Sequence, residues 1–313
     1  LAPTRSAAAE QVNRDFRSNP LSSARSWGYQ LQDIDAHQID KTDYDVVVVD
    51  AGSGDGAWGL SQREIRQLKT KPDGGRRIVL AYMNIGEAED YRYYWNKAWA
   101  KTPPPWMGSA NCRWKGDHRV RHWMGDWQNI MFGSPRSYLG RLIAAGYDGV
   151  YLDRVDIYYH WRSARWQAGA DMVDFVVRLA GWARKQKPGF LIVPQNSEEL
   201  LSEPRYLAAI DAIGKEDMLF GDRGNDVENA PERITRAERN FAPARAAGLP
   251  VFTIEYARKP ANKARIAARH EKLGFTLYFG PRSLAYLGQD GTLHPEDGDT
   301  EPVAGTGDTQ TCE

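Results

Sequence analysis

Nine short runs rich in β-branched and aromatic residues alternate along this chain with longer segments whose apolar residues recur at helical spacing. The runs are 28–31, 46–50, 77–83, 120–124, 149–153, 190–194, 209–214, 251–255 and 275–279. Helical spacing occupies 61–69, 135–145, 170–185, 231–247 and 263–272, and Gly146, Gly248 and Gly274 stand where helices stop before the next run. Runs that are apolar on both faces, each followed by a helix, require a parallel sheet covered by helices. The alternation continues without a break suggesting a second domain. It therefore predicts an α/β chain folded as a single (β/α)8 TIM barrel rather than an open doubly wound sheet. A barrel takes eight strands, so one of the weaker runs, 28–31 or 120–124, is expected outside it.

Composition sets the outer limits. A chain of 313 residues, 42% hydrophobic, can bury one large core. Lys plus Arg and Asp plus Glu both number 41, and no compact basic stripe stands out, so no nucleic-acid partner is expected. No apolar run approaches the roughly 18 residues of a membrane helix, which argues against membrane insertion. Residues 1–20 read as a flexible leader, 21–288 as the barrel, and 289–313 as a loosely structured acidic tail with no Lys or Arg. The start at Leu1 fits a removed signal peptide or a trimmed chain equally. Cys112 and Cys312 lack zinc spacing; export would favour a disulfide between them, and two free thiols are the alternative.

In a barrel of this kind, reacting groups come from the carboxyl ends of strands and the loops after them. Those ends carry Asp50; Asn84, Glu87 and Glu89; Asp153 and Asp156; Gln195 and Asn196; Lys215, Glu216 and Asp217; and Glu255. Carboxylates at five strand ends exceed what solubility requires, because those ends converge on one pocket. The competing use for any single acid is to cap a helix or pair with Arg92, Arg154 or Lys215. Two carboxyls facing each other across a pocket are the equipment of glycoside hydrolysis: one protonates the leaving oxygen, the other attacks the anomeric carbon or activates water. Six of the eleven Trp (95, 99, 106, 114, 123 and 127) lie beside Tyr91, Tyr93 and Tyr94 in a loop-like stretch. They suit a cleft wall that stacks on sugar faces, or else a small core of the loop's own.

Other signals are weaker. The turn Asp50-Ala-Gly52-Ser-Gly54-Asp-Gly56 is not G-x-G-x-x-G, though a nucleotide- or S-adenosylmethionine-binding enzyme is a rival reading built on it. Asp153, Asp156 and His160, or His118 and His122, lack a third ligand at suitable spacing, so neither metal nor cofactor is expected. A non-catalytic carbohydrate-binding barrel is the other rival.

The segments AYMNIGEAEDYRYYW (81–95), GYDGVYLDRVD (146–156), VPQNSEELL (193–201), IDAIGKEDMLF (210–220) and GFTLYFGPRSL (274–284) resemble glycoside hydrolase family 114, the endo-α-1,4-polygalactosaminidases and their relatives. The resemblance runs in order over about residues 27–285. It implies a (β/α)8 barrel, a secreted, periplasmic or cell-surface location, and cleavage of α-1,4-linked galactosamine-rich polysaccharide. By motif it implies Asp153 as nucleophile or electrostatic carboxylate and Glu216 as general acid/base. Asn84, Glu87, Tyr91, Arg92, Gln195, Asn196 and Glu255 would line the subsites, with Asp50, Asp156, Trp123 and Tyr278 completing the pocket. Asn84 stands where a small residue such as Ser is expected. Deacetylated galactosamine is cationic near neutral pH, and a pocket ringed by Asp50, Glu87, Glu89, Asp156, Asp217 and Glu255 would draw it in over neutral sugars.

Overall fold

The computed structural model describes residues 18–52 and 59–287. Its strands are β1 (Trp27–Gln30), β2 (Val46–Asp50), β3 (Ile78–Asn84), β4 (Glu87–Glu89), β5 (Met107–Ala110), β6 (Asp117–Val120), β7 (Gly149–Asp153), β8 (Leu191–Pro194), β9 (Ile213–Glu216), β10 (Phe220–Gly221), β11 (Gly224–Glu228), β12 (Val251–Glu255) and β13 (Thr276–Phe279). Parallel ladders join β1–β2–β3–β7–β8 in one arc and β9–β12–β13 in another, eight strands in all. The arcs meet at one seam through the bridge Gln195↔Gly214 and the Asp211 amide, which donates to the Ile192 carbonyl at 2.8 Å. At the other seam the Trp27 ring N–H donates to the Thr253 and Thr276 carbonyls at 3.2 and 3.1 Å. The fold is a (β/α)8 barrel.

Helices α1 (Ala36–Asp40), α2 (Gln62–Leu68), α3 (Gly125–Met131), α4 (Tyr138–Ala145), α5 (Tyr158–Trp161), α6 (Ala168–Gln186), α7 (Pro204–Ala209), α8 (Pro231–Asn240), α9 (Ala242–Ala247) and α10 (Pro260–Leu273) follow the strands. The local chemistry explains their ends. Ser61 and Glu64 form a capping box at the start of α2. Gly146, Gly248 and Gly274 sit at left-handed φ of +104°, +70° and +73°, where an L side chain is strained, and so terminate α4, α9 and α10. The single helix expected over 231–247 divides at Phe241, with Pro243 early in the second piece.

The surplus ninth run is 120–124. Its pairing stops at Val120, and it belongs to an antiparallel β4–β6–β5 sheet that leaves the barrel after β3. The run at 209–214 starts late, because α7 occupies it as far as Ala209. Part of the expected leader is also structured: Asn19 is buried and its amide donates to the Asp211 carbonyl. The tail 289–313, Cys312, and Gly54 and Gly56 of the glycine-rich turn lie outside the described residues. Cys112 is disulfide-bonded.

Aromatic rings fill the barrel axis. Trp27 packs on Tyr29, Tyr151, Phe252 and Tyr278 with ring centroids 5.6–6.1 Å apart. Tyr151 needs the space over Gly214, where an added Cβ would collide with its hydroxyl. Gly214→Ala is therefore expected to destabilise the barrel by about 1–3 kcal/mol through overpacking. A denaturant midpoint equal to that of the parent would show that the two rings relax freely.

Candidate active site

The carboxyl ends of the strands open into a cavity of about 1450 Å³. Asp153 ends β7 beside Asn84 of β3 in the ladder. Its carboxylate accepts the Tyr82 hydroxyl and the Arg154 amide, both at 2.7 Å. Burial raises its pKa, while the charge of Arg154 and the Tyr82 hydrogen bond act in the opposite direction. Glu216 ends β9 and accepts from the Gln195 amide and the Tyr256 hydroxyl. Burial first, then the charge of Asp153, pushes its pKa to about 7. Tyr29 lines the cavity and feels the charges of both Asp153 and Glu216. Each carboxyl is thus held by two donors, and burial raises the pKa of both, that of Glu216 to about 7.

Backbone strain gathers at the same place. Among the described residues, six non-glycine residues have positive φ: Asp33, Arg154, Asn196, Ser197, Asp217 and Leu284. All six line the cavity. Arg154 and Asp217 directly follow Asp153 and Glu216, so the chain bends sharply just past each carboxyl. Each such residue costs on the order of 1–3 kcal/mol, and strain of this kind concentrates at functional sites. Arg282 anchors the bend after β9: it forks onto Asp217 at 2.8 and 3.0 Å and lies 4.0 Å over the Tyr256 ring.

On the opposite wall, Arg92 bridges two buried acids. It reaches Asp50 at 2.5 and 2.8 Å and Glu89 at 2.7 and 3.0 Å. Tyr91 donates to Glu89 at 2.7 Å. Glu87 accepts from Asn111 at 3.0 Å and lies 3.2 Å from the Arg154 guanidinium; burial still pushes its pKa to about 7. Asn84 accepts the Gly86 and Glu87 amides at 3.1 and 2.9 Å, fixing the turn that presents Glu87.

The sequence model of the family described as glycoside-hydrolase family GH114 matches residues 5–295. The chain belongs to glycoside hydrolase family 114. Relatives include an uncharacterized protein of Deinococcus radiodurans, 36% identical over 85% of this chain and 83% of that one. A second, from Methanocaldococcus jannaschii, is 33% identical over 74% of this chain and 66% of its own length. Among solved structures, the glycoside hydrolase domain of PelA from Pseudomonas aeruginosa superposes with a TM-score of 0.63 at 17% identity, covering 84% of this chain and 97% of that one. Aspergillus fumigatus Ega3 in complex with galactosamine superposes at 0.62 with 18% identity, covering 85% and 96%. The (β/α)8 fold is the one these structures share. The protein is a glycoside hydrolase.

In this family 114 hydrolase the cavity brings together Asp50, Asn84, Glu87, Tyr91, Arg92, Asp153, Asp156, Gln195, Asn196 and Glu216. Three expected residues lie elsewhere. Glu255 is fully buried, accepts the Leu219 and Phe220 amides at 2.8 and 3.2 Å, and lies 3.5 Å from His270 of α10. It is out of phase by one residue, since its neighbour Ile254 is the ladder partner of Glu216 and Tyr278. Tyr278 is consumed in the barrel core against Trp27 and Tyr44. Trp123 packs edge-on to Trp161, with Arg165 over its ring. The Trp-rich stretch is mainly a core of its own: Trp95–Trp99, Trp99–Trp106 and Trp106–Trp127 contact at 5.3, 5.0 and 4.9 Å. The expected ring of bare acids is also thinner than composition implies, because Arg92 pairs with both Asp50 and Glu89, Arg154 with Glu87 and Arg282 with Asp217. Sequence reasoning missed Tyr29, Tyr82 and Tyr256; Tyr82 stands two residues before Asn84 and shares its face of β3, which is the signal that marks it.

Proposed function

We propose that this hydrolase cleaves α-1,4-linked galactosamine-rich polysaccharide at internal linkages outside the cytoplasm, with Asp153 and Glu216 as its two working carboxyls. The observation that carries the reading is the pair itself: two half-buried strand-end carboxyls in one cavity, with the charge of Asp153 making Glu216 harder to ionise. Glu216, which holds its proton up to about pH 7, donates it to the glycosidic oxygen as the bond breaks. Asp153 stabilises the oxocarbenium-like carbon and either attacks it or directs water to it. Gln195, Tyr256 and Tyr82 hold the carboxyls in place through the transfer. The galactosamine bound to Ega3 supports the sugar class, as does the acidic β3–β6 side of this cavity.

The test is reducing-end release from partially deacetylated α-1,4-galactosamine polymer, with the fully N-acetylated polymer as control and NMR of the first anomer released. Release from neutral α-glucans but from neither galactosamine polymer would reject the substrate class. The pH profile checks the acid. Glu216 works as the protonated form, which is lost as pH rises through about 7. Turnover is therefore expected to fall tenfold per pH unit above that value. A rate that stays level up to pH 9 would remove Glu216 from this role.

A further inference from the structure

The β4–β6 ladder sets Glu89 directly opposite Asp117. Opposed residues of an antiparallel pair project to the same side, and like charges there repel. Glu89 is answered by Arg92 and Tyr91. Asp117 is not: it is 9% exposed and lines the cavity, yet among the described residues no side chain donates to its carboxyl. Burial, then the charges of Glu89, Glu87 and Asp153, pushes its pKa up against the pull of Arg154. A buried carboxyl among carboxyls is costly in the empty protein, and a cation brought by a ligand would offset that cost.

The same turn holds the other half of a sugar site. The Asp117 amide donates to the Trp114 carbonyl at 3.1 Å. Trp114 is 48% exposed, and among the described residues it alone of the six clustered tryptophans lines the cavity. Packing accounts for the other five. An indole face takes the C–H face of a pyranose, and a cation beside it gains from the ring quadrupole as well as from the carboxylate.

We propose that Trp114 and Asp117 form an amino-sugar subsite on the turn between β5 and β6, in which a pyranose stacks on the indole and its ammonium is held by Asp117, with Glu87 as second acceptor. This deepens, and rests on, the galactosamine reading. It makes Asp117, rather than Asp50 and Glu89 with their Arg92 partner, the residue that selects a free amine over an acetamide.

Calorimetric titration of Glu216→Gln protein with an α-1,4-galactosamine pentamer and with its N-acetylated counterpart tests it. Adding Asp117→Asn is expected to weaken the amine pentamer about tenfold or more, while the acetylated one changes by less than about twofold. Trp114→Ala, on an exposed side chain, is expected to weaken both about fivefold to tenfold. Melting curves confirm that the variants are folded. Equal losses for both pentamers in Asp117→Asn, no loss at all, or amine binding abolished by EDTA would overturn the subsite; the last outcome would identify a metal as the occupant. A parent protein that binds the two pentamers equally overturns the amine reading itself, and the subsite with it. Amine preference that survives Asp117→Asn overturns the subsite alone.

Discussion

Asp153→Asn and Glu216→Gln are each expected to lower turnover about a hundred- to ten-thousand-fold, with the protein still folded. The two losses should not multiply, because once either carboxyl is gone the other has no complementary step to perform. The double variant is expected to be about as slow as the worse single one. Retained activity within tenfold of the parent in either single variant would reject the pair. Folding is checked by an effect of opposite sign. The Glu216 carboxyl ionises near 4.5 when unfolded and near 7 when folded. Between those values the folded state holds a proton that the unfolded state has released, so stability falls as pH rises through the window and stays lower above it. A shift of this size amounts to about 3 kcal/mol. Glu216→Gln is therefore expected to flatten that part of the stability curve while abolishing turnover. Urea titrations at pH 4.5 and pH 8 measure the difference directly.

The parts of this site that were legible in the sequence share one property: they are fixed by position along a strand. Asp153, Gln195, Asn196 and Glu216 could be located because a β-branched run ends where they stand, and a barrel gathers such ends. What the sequence did not reveal depends on parity and pairing. Glu255 also ends a strand, but the register of β12 against β9 turns it toward α10 instead of the cavity. The tryptophans of 95–127 have the composition of a sugar-binding wall, yet an antiparallel excursion lets them pack on one another, and only an account of ring contacts separates Trp114 from the rest. Asp50 and Glu89 look like free anions until Arg92 is seen between them. A run of letters records which charges are present and leaves open which are already neutralised.

That neutralisation supports the second large expectation. The Arg92 guanidinium is buried, and its hydrogen bonds to Asp50 and Glu89 join β2 to the end of β4. Burial raises the Asp50 pKa, and Arg92 is the main influence opposing it. Replacing Arg92 with Met keeps much of the volume but strands two carboxyls without a cation. Breaking a buried ion pair from one side costs about 3–5 kcal/mol, so a fall in melting temperature on the order of 10 °C is expected. Arg92→Lys should recover part of this, since it restores the charge without the fork that serves both acids. The decisive variant combines Arg92→Met with Asp50→Asn and Glu89→Gln. If the cost comes from stranded charge, the triple variant melts well above the single one. If it comes from lost packing of the guanidinium against Tyr82, Tyr91 and Tyr138, 5.2–5.9 Å away, the triple variant melts no higher. The first outcome would make this wall of the cleft an electrostatic scaffold, leaving Asp117 as its acid available to a cationic sugar.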